Sequence, residues 1–331
     1  MGQRANLILT HSDGKYDLYY NHWCANTLPV HLFWGPEYAE EFIREQSPVD
    51  ESGWLNDIWA EGGAVIDAPN RRLLFYGGED ILSDIPLRNV FLCLIQQVWG
   101  GWELRWAYEG IADIAAYVDY PVERVISESD VDRAELSLAP PPDLEWTDTI
   151  GSVRFEDGEL LLFPLYGGVE GYLMGGPAML QSIKRSFGYE HINLEEWTTS
   201  FPSSGFHIDL PEKTIDVWHA DVYFDLERRL RAVWRDWTVR DHRSQYEKHL
   251  KNISEKLIVP LQSRESYITL LSQMLLKEYT DPLSSFLGIV DRLSHGGKEV
   301  KVSPSAMSHS HYEIPIEIRE KILLKAISEI N

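Results

Sequence analysis

Apolar positions along this chain recur in two rhythms, short alternating runs and longer runs with helical spacing, and the order of the runs repeats. Ala5 to Thr10 and Tyr16 to Tyr20 flank Ser12-Asp13-Gly14, which predicts a β-hairpin. After a loop, Gly35-Pro36 opens a helix whose apolar face carries Tyr38, Phe42 and Ile43. A second hairpin turns at Ala68-Pro69-Asn70. The helix after it has Ser83 or Asp84 as cap, Pro86 in its first turn and Val90, Phe91, Leu94, Ile95 and Val98 on its buried stripe. Trp102 to Ala107 then alternates as a strand, with Trp102, Leu104 and Trp106 on one face and Glu103 and Arg105 on the other.

The same succession returns in the second half. Val98-Trp99-Gly100-Gly101-Trp102-Glu103-Leu104-Arg105 is echoed by Val233-Trp234-Arg235-Asp236-Trp237-Thr238-Val239-Arg240, both obeying V-W-x-x-W-x-[LV]-R. Ile66-Asp67-Ala68-Pro69 matches Ile208-Asp209-Leu210-Pro211, Gly35-Pro36 matches Gly176-Pro177, and Asp13-Gly14 matches Asp157-Gly158. In chain order the offsets are 144, 141, 142 and 135 residues, the near-constancy expected of a duplication followed by drift. The expected fold class is therefore α+β: an internally duplicated antiparallel sheet-plus-helix unit, the two copies related by a pseudo-twofold, with a helical C-terminal region. The expected division is residues 1–125 for the first repeat, 126–149 for an acidic, Pro-rich linker containing Pro140-Pro141-Pro142, 150–250 for the second repeat and 251–331 for the helical region. In that last region Arg243 to Leu257, Ser266 to Tyr279, Pro282 to Leu293 and Ile316 to Ile330 read as helices, and Lys298 to Tyr312 as an exposed loop.

Composition narrows the function classes. Of 331 residues, 30 are Lys or Arg and 52 are Asp or Glu, a net charge of −22 that opposes nucleic-acid binding and docking on anionic lipid. It suits solubility or a basic protein partner. The two cysteines, Cys24 and Cys93, imply no disulfide framework. Leu7-Ile8-Leu9 follows Met1-Gly2-Gln3-Arg4 as a strand, not as the core of a leader peptide, so a cytoplasmic location is expected.

The two copies differ most after the first hairpin. Asn21-His22-Trp23-Cys24-Ala25-Asn26-Thr27, then His31 and Trp34, concentrates polar, reactive and aromatic types, whereas the second copy has Tyr166-Gly167-Gly168-Val169-Glu170-Gly171-Tyr172. His22 and Cys24 are candidates for a base and nucleophile, with Glu109 a further catalytic candidate. Asn21, Trp23, His31, Trp34, Arg105 and Tyr108 are candidates for ligand contact. The spacing of His22, Cys24 and His31 matches no common metal motif, so neither metal nor cofactor is expected. The W-x-x-W element stands in both copies, which favours a core role, its arginines pairing with carboxylates. Gly77-Gly78-Glu79-Asp80 reads as a tight turn and not a phosphate cradle, and Ser308-His309-Ser310-His311 as a solvated loop.

Three functions remain open on the residues alone. The first is a non-catalytic recognition protein, immunity- or antitoxin-like, that covers a basic protein partner. The second is an enzyme or small-molecule binder with its site in the loop 21–34 or between the repeats. The third is a scaffold whose tail mediates oligomerisation.

Overall fold

Five strands of the first sheet have counterparts in the second at offsets of 135 to 144 residues, and the counterparts pair in the same order. The computed structural model describes residues 3–127, 137–253, 256–278, 282–307 and 312–330. In the first half β1 (Ala5–Thr10) and β2 (Tyr16–Asn21) lead through α1 (Leu28–Phe33) and α2 (Pro36–Arg44) to β3 (Ser47–Val49). Then come β4 (Gly62–Asp67), β5 (Arg72–Tyr76), α3 (Glu79–Ser83), α4 (Ile85–Val98), β6 (Glu103–Trp106) and α5 (Ile111–Tyr117). The second half runs β7 (Thr149–Arg154), β8 (Leu160–Leu165), α6 (Val169–Leu173), β9 (Ile192–Asn193), β10 (Ser204–Asp209), β11 (Thr214–His219), α7 (Leu226–Val233), β12 (Thr238–Asp241), α8 (Tyr246–Ile253) and β13 (Leu257–Ile258). Four helices follow: α9 (Arg264–Leu276), α10 (Pro282–His295), α11 (Pro304–Met307) and α12 (Ile316–Ile330).

The first sheet has the order β3-β2-β1-β4-β5-β6 and the second β12-β11-β10-β7-β8. Both are mixed. The hairpins β1–β2, β4–β5, β7–β8 and β10–β11 are antiparallel, as their turns dictate, while β1–β4, β5–β6, β7–β10 and β11–β12 are parallel. β5–β6 and β11–β12 are parallel because helical crossovers join them, and a crossover returns the chain in the direction it left; β1–β4 and β7–β10 bring successive hairpins side by side. The antiparallel expectation holds for the hairpins and gives way at these joins. A bridge between Leu162 and Tyr189 stands where β3 pairs with β2, since Leu18 faces Val49 in the first sheet.

Local detail repeats as closely as topology does. Gly14 and Gly158 sit at φ +82° and +85° in their hairpin turns, a conformation that glycine adopts without strain. Arg71 and Lys213, at φ +52° and +50°, each accept from the strand that follows the crossover, Glu103 N–H and Thr238 N–H, both at 2.9 Å. Trp99 and Trp234 are fully buried. Trp99 Nε1 donates to the Leu32 carbonyl at 2.8 Å and Trp234 Nε1 to the Leu173 carbonyl at 2.7 Å. Each crosses its partner edge-on, Trp102 at 4.9 Å and Trp237 at 5.0 Å. The repeated W-x-x-W element therefore locks a helix end to the segment after the first hairpin in each copy.

The chain forms two compact units, the first comprising Met1–Ile81, Asn89–Ser127 and Arg264–Asn331, the second Leu82–Arg88 and Glu128–Ser263. The C-terminal helices thus belong to the first unit, where α9 packs on α12 and on α1. Of the expected linker, residues 128–136 lie outside the described residues. Beyond them, Leu138 is fully buried in the core of the second unit. Sheet two is covered on both faces: Val153, Phe163, Phe206, Ile208 and Val217 meet α6 and α7 on one side, and Ile150, Leu162 and Trp218 meet α8 on the other. Each such fully buried side chain contributes about 1.5–3 kcal/mol of hydrophobic stabilisation.

The helical tail differs from its pattern in two places. Arg243 to Leu257 yields only the two turns of α8 before the chain straightens into β13, which pairs with β9. The stretch expected as a loop carries the short helix α11. The His309 and His311 tract lies outside the described residues.

Candidate functional site

Folding consumes most of the polar groups of the loop after β2. Asn21 ends β2 and is buried; its amide donates to Gln46 Oε1 at 2.5 Å, and its Oδ1 accepts from the Trp23 N–H at 2.6 Å. His22 Nδ1 lies 2.7 Å from the Tyr20 hydroxyl and its ring packs on Trp23. Trp23 Nε1 donates to the Ala306 carbonyl of α11 at 3.0 Å, and its ring meets Phe286 of α10. Cys24 is 2% exposed, and burial pushes its thiol well above the ordinary range, so it stays protonated. A thiol so placed is a small core side chain, without the thiolate a nucleophile needs.

The remaining candidates divide. Arg105 Nε pairs with Glu103 Oε1 at 2.6 Å on the exposed side of β6, and the Glu109 N–H donates to Asp113 at 2.8 Å at the start of α5. Tyr108, between them, lies outside the cleft that His31 and Trp34 line, as do Arg105 and Glu109. His31 and Trp34 do come together. They line a cleft of about 180 Å³ closed by the C-terminal segment through Met274, Lys277, Tyr312 and Arg319. His31 lies flat on Phe42 with ring centres 4.0 Å apart.

The second unit holds a constellation that the residue types alone do not announce. Successive strands place Ser152, His207 and Asp216 side by side on the face under α8, because Ser152 pairs with His207 and His207 with Asp216 in register. Ser152 Oγ lies 2.8 Å from His207 Nδ1 and 2.8 Å from Nε2 of His249, which α8 supplies. Trp218 Nε1 meets His249 Nδ1 at 2.9 Å. An indole N–H can only donate, so His249 Nδ1 accepts and its proton sits on Nε2. That proton goes to Ser152 Oγ, whose own hydroxyl reaches His207 Nδ1 and the Phe206 carbonyl, the latter at 3.2 Å. His207 Nε2 faces Asp209 Oδ2 at 3.9 Å. Asp216 is held by His242 at 2.6 Å, by Asn252 at 3.3 Å and by Arg240 at 3.4 Å.

A serine between two imidazoles meets the distance condition for general-base activation. Ser152 and His249 are fully buried, however, and His207 is nearly so. Burial holds the His249 imidazole down to about 3 and lowers His207 as well, so both are neutral at pH 7. The arrangement is a satisfied polar core. The signal for it lay in the duplication: aligned at offsets of 144 and 142 residues, Ser152, His207 and Asp216 stand where the first copy has Ile8, Val65 and Leu74.

Among the described residues no group of three or more His, Cys, Asp or Glu is arranged to hold a metal ion, and no helix is long and apolar enough to cross a membrane. The chain matches no known family, no curated protein and no solved structure.

Proposed function

We propose that this protein is a non-catalytic recognition factor that covers a basic protein partner through an acidic surface. One observation carries the reading: the net charge of −22 is displayed while the reactive side chains His22 and Cys24 are folded inward. The exposed face of α2 illustrates it. Glu37, Glu41 and Glu45 are exposed there and Arg44 is the one cation of the helix. Clustered carboxylates steer a cationic partner and give it register.

The test is retention of a partner from host extract on immobilised protein, wild type beside a Glu37→Lys/Glu41→Lys/Glu45→Lys variant. A stoichiometric basic protein, released between about 50 and 300 mM salt and retained at least tenfold less by the variant, is expected. Equal retention by both baits, or no basic partner on either, overturns the reading.

A further inference from the structure

A cleft of the first unit is lined by an arginine that no carboxylate pairs with among the described residues. Arg319 of α12 is 9% exposed. Its Nη1 donates to the carbonyls of Leu275 and Lys277, each at 3.3 Å, and so caps the C-terminal end of α9, where carbonyls lack helical partners. Both acceptors are neutral. The buried Nε has no acceptor, and among the described residues no carboxylate pairs with the guanidinium. A buried arginine normally has an anion beside it, since desolvating its charge is costly. Arg319 instead lines an open cleft, its Cζ 6.0 Å from the centre of the Trp34 ring.

The walls limit what can fill that position. Trp34, Met274 and Ile314 offer apolar surface, suited to a hydrocarbon or aromatic body. Glu278 and Glu313 border the opening and oppose a multiply charged anion, while Lys277 stands beside them. The volume of about 180 Å³ is below the roughly 300–1,000 Å³ of sites for drug-sized ligands.

We propose that this cleft binds a small monocarboxylic acid, its carboxylate on Arg319 and its apolar body against Trp34 and Ile314. The site touches the acidic face of α2 only through Tyr312, whose hydroxyl donates to Glu41. It needs no reaction and uses no group from the loop interior.

The experiment is a saturation-transfer NMR titration of the full chain with benzoate and butyrate, with benzamide and inorganic phosphate as probes of charge and shape. Two variants accompany the wild type: Arg319→Gln, which removes the cation, and Met274→Trp, which fills the cleft from α9 and leaves Arg319 and its carbonyls in place. Circular dichroism checks that each is folded. Saturable binding of benzoate or butyrate is expected, with benzamide and phosphate at least tenfold weaker and both variants at least tenfold weaker for the carboxylates. Should Arg319→Gln fail to fold, Met274→Trp decides alone. Absence of carboxylate binding, benzamide or phosphate binding as well as benzoate, or full affinity in Met274→Trp overturns the proposal. Unchanged binding in a Glu37→Lys/Glu45→Lys variant, which keeps the Tyr312–Glu41 bond, separates this outcome from the fate of the partner-recognition reading.

Discussion

Two rows of side chains at equivalent places in the two sheets solve the same packing problem in opposite ways. In the first sheet Ile8, Val65 and Leu74 lie in register across β1, β4 and β5, buried and apolar. In the second, Ser152, His207 and Asp216 lie in register across β7, β10 and β11, equally buried and polar. Each row ends on an arginine of the last strand, Arg105 or Arg240. The backbone scaffold tolerates either row because sheet pairing uses main-chain groups and leaves the face to its covering element. The cover decides: α8 brings His249 and Asn252 to the polar row and satisfies it. An apolar row asks only for volume. A polar one demands a partner for every donor and acceptor, and so fixes α8 in one position.

The largest effect should fall where the copies agree. Trp99→Ala and Trp234→Ala each remove a fully buried indole and the same kind of carbonyl bond, so each should cost about 3–5 kcal/mol. Urea unfolding followed by hydrogen exchange should place each loss in its own unit. Loss spread evenly over both units by either substitution would break the view of the pair as two independent copies of one lock.

The polar row should then separate the copies by pH. His249 and His207 are neutral in the fold, with affinities for protons lowered below the unfolded value near 6.5. Below that value the unfolded chain binds protons that the folded chain refuses, so stability declines as pH falls from about 6.5 towards about 3, where His249 titrates. The decline is roughly 1.4 kcal/mol per pH unit for His249 alone, about 2 kcal/mol between pH 7 and pH 5. Hydrogen-exchange free energies measured at the two pH values should show it in the second unit. Ser152→Ala should add about 1–3 kcal/mol at neutral pH by leaving ring nitrogens unpaired. An equal acid loss in the first unit would show that the row is not its source.

A smaller effect is expected at the ends of the hairpins. The first copy sets Trp23-Cys24 against Gly77-Gly78, and the second sets Gly167-Gly168 against His219-Ala220, so the bulky and bare positions are exchanged. A β-carbon on Gly78 would lie 2.6 Å from Pro29 Cγ, and one on Gly168 would lie 2.1 Å from the Tyr223 hydroxyl. Gly168→Ala should cost about 1 kcal/mol by thermal unfolding, and Tyr223→Phe should recover most of it, because the next nearest atom is 3.5 Å away. Without that recovery, the exchange between the loops is not steric in origin.

Much of the architecture was legible because it is local. Alternation, the Asp-Gly turns, the Gly-Pro helix starts and the α12 stretch from Ile316 to Ile330 each state their own geometry within a few residues, and duplication let each be read twice. Of the candidate residues, His31 and Trp34 line an open cleft. Cys24 and His22 look reactive by type, but whether a thiol is a nucleophile depends on its solvation. Here segments from α10 and α11, more than 260 residues further on, cover the neighbouring Trp23. Arg319 carries no local mark at all, being one cation on an amphipathic helix. Period, turn and repetition follow from the backbone and its nearest neighbours, and so are written in the order of the residues. What only the tertiary structure decided was which groups meet: Ser152 with His249 across 97 residues, and Arg319 with the end of α9 across 44. Burial and hydrogen-bond satisfaction are properties of the packed chain, and no window of a few residues contains them.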